Sequence, residues 1–165
     1  MNGLDTIREH MTAFLQEQGV HALTAWPDGS RAGADGAVAA VSVRRCEGGP
    51  SGFQDYLGER FNPVTGHWEE LYGKQLTVTF GLDLYGGRIG GGSECQAAFD
   101  AMAAAFQQGG PEGLTVGSFS QGEVKYDKDL GLFHCPVEAV CTCFLYAVAD
   151  EGGQFLDFEI KGVRT

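Results

Sequence analysis

Basic residues are scarce in this chain of 165 residues. It has 11 Lys and Arg against 22 Asp and Glu, which gives a net charge of −11 at pH 7 and a pI near 4.6. Such a surface repels phosphate backbones and anionic lipid headgroups, so nucleic-acid binding is not expected. No apolar run approaches the roughly 18 residues that a membrane helix needs, and no basic stretch precedes an apolar one near the N-terminus. We therefore expect a cytoplasmic protein that makes no membrane contact.

The motifs of catalysis and of cofactor binding are also missing. The glycine-rich segment from Gly86 to Ser93 lacks the Gly-Lys-Ser/Thr ending of a P-loop and the Gly-x-Gly-x-x-Gly spacing of dinucleotide sites. The segment 118–122 lacks the first glycine of a hydrolase nucleophile elbow, Gly-x-Ser-x-Gly. The four histidines are scattered along the chain. We predict no catalytic residues, no cofactor and no metal site.

The five cysteines are an odd number in a chain for which no signal peptide is expected. This favours reduced, buried thiols over a disulfide framework. Cys135, Cys141 and Cys143 share one face of a predicted strand, and they lack the Cys-x-x-Cys turns that zinc sites normally use. We interpret them, together with Cys46 and Cys95, as small buried hydrophobes.

Hydrophobic residues make up 43% of the chain, which is typical of a packed globule. Apolar residues at helical spacing predict amphipathic helices over 4–18 and 93–108, the second with Ser93 as its N-cap. Period-two alternation predicts a strand over 75–85, and similar patterns predict strands over 20–26, 37–46, 113–126, 132–149 and 154–163. The prediction is one α+β domain over residues 1–165. Its two helices cover one face of a mostly antiparallel sheet of five to six strands.

Residues 47–70 are too long for an ordinary tight connection, so we predict an extended hairpin arm or a functional loop. Large apolar groups are unusually dense there. They must either pack within the subunit or become buried against a partner, because exposed aromatics at this density are costly. Both alternatives stay open, and the candidate interface residues are Phe53, Tyr56, Leu57, Phe61 and Trp68.

Four segments and the helix-first layout carry a family resemblance. The segments are Gly49-Pro50-Ser51-Gly52-Phe53-Gln54-Asp55-Tyr56-Leu57-Gly58, Leu82-Asp83-Leu84-Tyr85, Gly122-Glu123-Val124-Lys125-Tyr126-Asp127 and Phe158-Glu159-Ile160-Lys161-Gly162. In these features, over about residues 4–163, the sequence resembles the tail-terminator or tail-completion proteins of tailed bacteriophages and of prophages in Gram-positive gut bacteria. The resemblance implies a non-enzymatic subunit that joins others, typically six, in a ring that caps the tail tube and meets the head connector.

Two other interpretations stay open. The chain could be another tail part, such as a tube or baseplate subunit, which also has to form rings. It could instead be a small-ligand binder or an enzyme whose pocket lies between the Gly86 to Ser93 loop and an open face of the sheet. A concave polar pocket favours the enzyme, and a flat sheet with an extended arm favours assembly.

Overall fold

Two helices and one nine-stranded sheet form within residues 3–24, 36–50, 55–150 and 155–161, the part of the chain that the computed structural model describes. The helices are α1 (Leu4–Glu17) and α2 (Gly91–Gln108). The strands are β1 (His21–Leu23), β2 (Val38–Pro50), β3 (Tyr56–Asn62), β4 (His67–Gly86), β5 (Thr115–Gln121), β6 (Lys125–Asp127), β7 (Leu132–Cys135), β8 (Val137–Asp150) and β9 (Phe155–Lys161). The α+β class is therefore confirmed.

The sheet has more strands than the five to six expected. The segment 47–70 contributes β3, which forms a hairpin with the start of β4, so of the two predictions for this segment the hairpin arm is the one found. The segment 113–126 forms β5 and β6, and the strand predicted over 132–149 is divided into β7 and β8 by Pro136. Proline has no N–H to donate to the ladder, although the pairing with β4 keeps the same register on both sides of it.

The long strand β4 is the centre of the sheet. Along one edge it pairs with β3 and then with β2, and along the other it pairs with β8 and then with β7. Strand β8 in turn pairs with β5 and β9, and β7 pairs with β6. Of the strand pairs in the described residues, β1 with β2 is the parallel one, so the sheet is mixed.

The main core lies between the helices and one face of the sheet. Alternate residues of β4 from Val78 to Leu84 point into it, together with buried side chains from both helices: Ile7, Met11, Leu15, Cys95, Met102 and Phe106. Helix α2 begins at Gly91, two residues before the predicted start, and no side chain caps it, so the prediction for Ser93 is wrong. Neither helix in the described ranges is long and apolar enough to cross a bilayer.

A second, smaller core lies on the opposite face of the sheet, at the other end of β4. Leu57, Leu71 and Val148 are buried in it, with Phe144 packed against them. Leu71 and Val148 are register partners, and Val78 is seven positions after Leu71 along β4, an odd offset. Because successive side chains on a strand point to opposite faces, this cluster faces away from the helices.

Candidate functional site

The predicted arm is a β-hairpin built on the first third of β4. Residues 47–50 belong to β2, where they pair with residues 74–77 of β4, and residues 56–62 pair antiparallel with the start of β4. Asn62 fixes the turn between β3 and β4, because its Oδ1 accepts hydrogen bonds from the backbone N–H of Val64 (2.9 Å) and Thr65 (3.3 Å). We call residues 55–72 the arm.

The inner face of the arm is held by buried groups. Leu57 is buried against Leu71, so this one of the candidate interface residues packs within the subunit. Glu69 is also buried, and its carboxylate accepts hydrogen bonds from Arg60 Nε and Asn62 Nδ2, each at 2.8 Å. A buried carboxylate must be paired, and here the pairing ties the two strands of the hairpin together.

The outer face of the arm carries aromatic side chains that are not buried. Phe61 is 51% exposed, Trp68 is 50% exposed and Tyr56 is 39% exposed. Phe61 and Trp68 are register partners whose rings meet edge to face at 5.6 Å, and Tyr56 and Tyr72 meet in the same way at 5.5 Å. Phe53 lies outside the described residues. We name the arm face by its members: Tyr56, Glu59, Phe61, Trp68, Glu70 and Tyr72.

Two carboxylates lie between the aromatic pairs of the arm face. Glu59 and Glu70 are directly opposite each other on β3 and β4. The hydroxyl of Tyr72 donates a hydrogen bond of 2.9 Å to Glu70 Oε2, and this bond raises the pKa of Tyr72. Partial burial and the two nearby carboxylates raise the pKa of Tyr56. Both tyrosines therefore remain neutral donors beside two negative charges.

A charged cluster on the helix-free face of the sheet was missed in the sequence. Arg44 is the extra residue of a β-bulge in β2 and crosses over Gly81 to Asp83 (2.7 Å) and Glu138 (2.6 Å). Burial lowers the pKa of Arg44, but the hydrogen bonds to Asp83 and Glu138 outweigh it, so the net change is upward. The one signal in the sequence was an acidic residue, Asp83, inside an apolar alternation. The guanidinium of Arg44 is paired with the carboxylates of Asp83 and Glu138, which indicates that this cluster stabilises the fold.

The glycine-rich turn from Gly86 to Ser93 is explained by packing. A Cβ on Gly86 would lie 2.2 Å from the carbonyl oxygen of Gly91, and a Cβ on Gly91 would lie 2.6 Å from the carbonyl carbon of Gly86. The strand and the helix that follows it therefore touch backbone to backbone, which only glycines permit. Arg88 and Ile89 are exposed at the tip of this turn.

The cysteines are free thiols, and four of them are buried as predicted. Cys46 is exposed, which corrects its interpretation as a buried hydrophobe. It is the register partner of Val78 in the second half of β2. Among the described residues, no group of three or more His, Cys, Asp or Glu could hold a metal ion.

Of the five predicted interface residues, the structure places Tyr56, Phe61 and Trp68 on one exposed face and Leu57 on the other, buried face. The sequence pattern did not separate them, because a bulge between Tyr56 and Gly58 changes the alternation at that point. The partners that complete the arm face, Glu59, Glu70 and Tyr72, become visible only from the register. No protein-family model matches this chain, and no curated protein matches it.

Proposed function

We propose that this chain is a non-enzymatic structural subunit of a phage tail that forms a ring at the head-proximal end of the tail tube. The partners are other copies of the chain, typically six in the resembling family, together with tail-tube and head-connector proteins. The observation that carries the proposal is the arm face. Three large aromatic side chains, Tyr56, Phe61 and Trp68, are between 39% and 51% exposed on one hairpin.

The structure of the arm supports its proposed role as a protein interface. Exposed aromatic side chains are enriched in the centres of protein interfaces, where their large area is buried at low entropic cost. The Leu57 and Glu69 contacts hold the opposite face of the same hairpin, so the aromatic face is presented on a rigid support. Preorganised elements bind better because less order has to be gained on association.

The charge of the chain agrees with a subunit that surrounds a DNA passage. A net charge of −11 leaves little attraction for phosphates, so DNA could move through a ring of such subunits without being held. In this proposal the chain is made in the cytoplasm of the host bacterium and is then incorporated into the virion tail.

Sedimentation velocity over a range of protein concentrations tests the proposal, both with and without a tail-tube protein from the same genome. We expect rings or tube-bound oligomers for the wild-type chain, and weaker assembly for Phe61→Ser and for Trp68→Ser. Leu4→Ser serves as the matched control, because Leu4 is also exposed but lies on α1. A chain that binds no tail tube at any concentration, whether or not it associates with itself, would contradict the proposal.

A further inference from the structure

The arm face contains an unfavourable charge arrangement. Glu59 and Glu70 are direct cross-strand neighbours, and neither forms an ion pair within the described ranges. Like charges directly opposite each other on a sheet are destabilising. A cation placed over this face would remove that repulsion, and the flanking rings of Phe61, Trp68 and the tyrosines would attract the same cation by cation–π interaction. The face is therefore suited to an apolar surface that carries Arg or Lys.

A surface of that kind lies at the other end of β4. Gly86, the last residue of β4, pairs with Phe133 of β7, which pairs with Tyr126 of β6. The turn after β4 and the hairpin tip between β6 and β7 are therefore neighbours at this end of the sheet. We call their exposed residues the distal patch: Arg88, Ile89, Tyr126, Lys128 and Leu130.

The distal patch complements the arm face in both hydrophobicity and charge. Ile89 is 92% exposed, and Tyr126 and Leu130 are also exposed. Neither Arg88 nor Lys128 forms an ion pair in the described part of the chain. On the same hairpin tip, Asp127 Oδ1 accepts hydrogen bonds from the backbone N–H groups of Asp129 and Leu130, and Asp129 is itself exposed. The two cations balance these two carboxylates, so on a molecule of net charge −11 this region is locally neutral and presents Arg88 and Lys128 beside apolar side chains.

We propose that the arm face of one copy of this chain docks onto the distal patch of a second copy. This inference rests on the proposed function and identifies the surface that receives the arm. The two surfaces lie at opposite ends of a strand of 20 residues, which at about 3.3 Å per residue spans roughly 65 Å. They cannot meet within one subunit. Contact between different surfaces of identical chains is heterologous, and it closes into a ring when the rotation between neighbours allows.

Site-directed cross-linking tests the pairing directly. Val64→Cys and Asp129→Cys, at exposed positions next to the arm face and the distal patch but outside both, are made in separate chains that also carry Cys46→Ser, which removes the exposed native thiol. The chains are mixed and treated with a short bismaleimide. We expect cross-linked dimers that combine the two variants, and few dimers of either variant with itself. Dimers of Val64→Cys chains with each other, or no cross-linking at all, would overturn the docking.

Charge reversal gives a second, independent measurement in about 150 mM salt. We expect Glu59→Lys with Glu70→Lys to weaken self-association about tenfold, and Arg88→Glu with Lys128→Glu to do the same. The chain that carries all four reversals should recover wild-type association, which a folding defect would not do. Glu9→Lys with Glu17→Lys, on exposed positions of α1, is the matched control and should keep wild-type association at this salt concentration. Failure of the fourfold variant to recover would overturn the docking.

The two proposals fail separately. Rings on tail tubes without mixed cross-links would leave the tail function standing and overturn the docking. Mixed cross-links in a chain that binds no tail tube would support the docking and overturn the tail function.

Discussion

Gly86 and Gly91 show how single residues set the connection between the sheet and α2. Each would place a Cβ within 3 Å of the other's backbone, so neither position accepts a side chain. Gly87 lies beside Gly86 in the same turn, and nothing lies within 4 Å of its Cβ position. The richness of this turn in glycine therefore has two physical origins, close approach at some positions and ordinary turn chemistry at others.

We expect Gly86→Ala to destabilise the protein by about 3 kcal/mol, because the backbones of β4 and α2 must separate to admit the methyl group. For a chain of this size, the melting temperature should fall by about 6–12 °C. Gly87→Ala, the matched control, should change stability by less than about 0.5 kcal/mol. Thermal unfolding followed by circular dichroism measures both. Equal stability of the two variants would show that the close approach does not exist.

The buried thiols make stability depend on alkaline pH. Burial raises the pKa of Cys141 to about 12 and that of Cys143 to about 11, from an ordinary value of 9.0. Below pH 9 the thiols are neutral in both the folded and the unfolded chain, so their contribution to folding is fully present. Above pH 9 the unfolded chain loses these protons first, and stability is lost as the pH rises toward the folded values.

We therefore expect the urea midpoint of unfolding to fall as the pH rises from about 9 to about 11. Cys141→Val should show a smaller fall, because it removes one ionisable group and keeps a buried apolar side chain of similar size. Tyrosine and lysine also titrate in this range, so the comparison between the two chains isolates the thiol. If the urea midpoint fell equally with pH in wild type and in Cys141→Val, the result would contradict the assigned burial of Cys141.

The two faces of the arm have different functions, one within the subunit and one toward a partner. Leu57 stabilises the subunit from the inner face, and Phe61 is available to a partner on the outer face. We expect Leu57→Ala to cost about 2–4 kcal/mol in the free energy of unfolding, because it leaves a cavity beside Leu71 and Val148. Val64→Ala, at the exposed turn of the same hairpin, should cost almost nothing. Urea unfolding of the monomer measures both, and similar values would show that the inner face is not packed.

The elements with strong periodicity could be predicted from the sequence, and those that depend on long-range pairing could not. Helix α1 and the main part of β4 follow their hydrophobic patterns closely. The division at Pro136 follows from a missing N–H, which the local alternation conceals. The arm could be located by its length and aromatic content, but its two faces depend on the register between β3 and β4 and on one bulge.

At the scale of the whole molecule, the long strand β4 connects two chemically different ends. Its start carries the arm, with an aromatic and acidic outer face, and its end leads to the distal patch, with apolar and basic side chains. The helix-covered core lies toward the second end, since the buried cluster follows β4 from Val78 to Leu84. A subunit with unlike ends suits polar assembly, whereas a symmetric dimer requires one surface that complements itself.

The net charge of −11 opposes the association of copies, and this repulsion can be tuned with salt. From about 10 mM to about 150 mM salt the Debye length falls from about 30 Å to about 8 Å, which screens the repulsion between whole subunits more than the contact between arm face and distal patch. We therefore expect self-association to tighten as salt rises over this range, as measured by sedimentation equilibrium. In low salt, Glu9→Lys with Glu17→Lys should associate more tightly than wild type, because each reversal changes the charge by two and −11 becomes −7. The two chains should converge at the higher salt concentration. Association that weakens steadily with salt would show that local ion pairs outweigh the charge of the whole molecule.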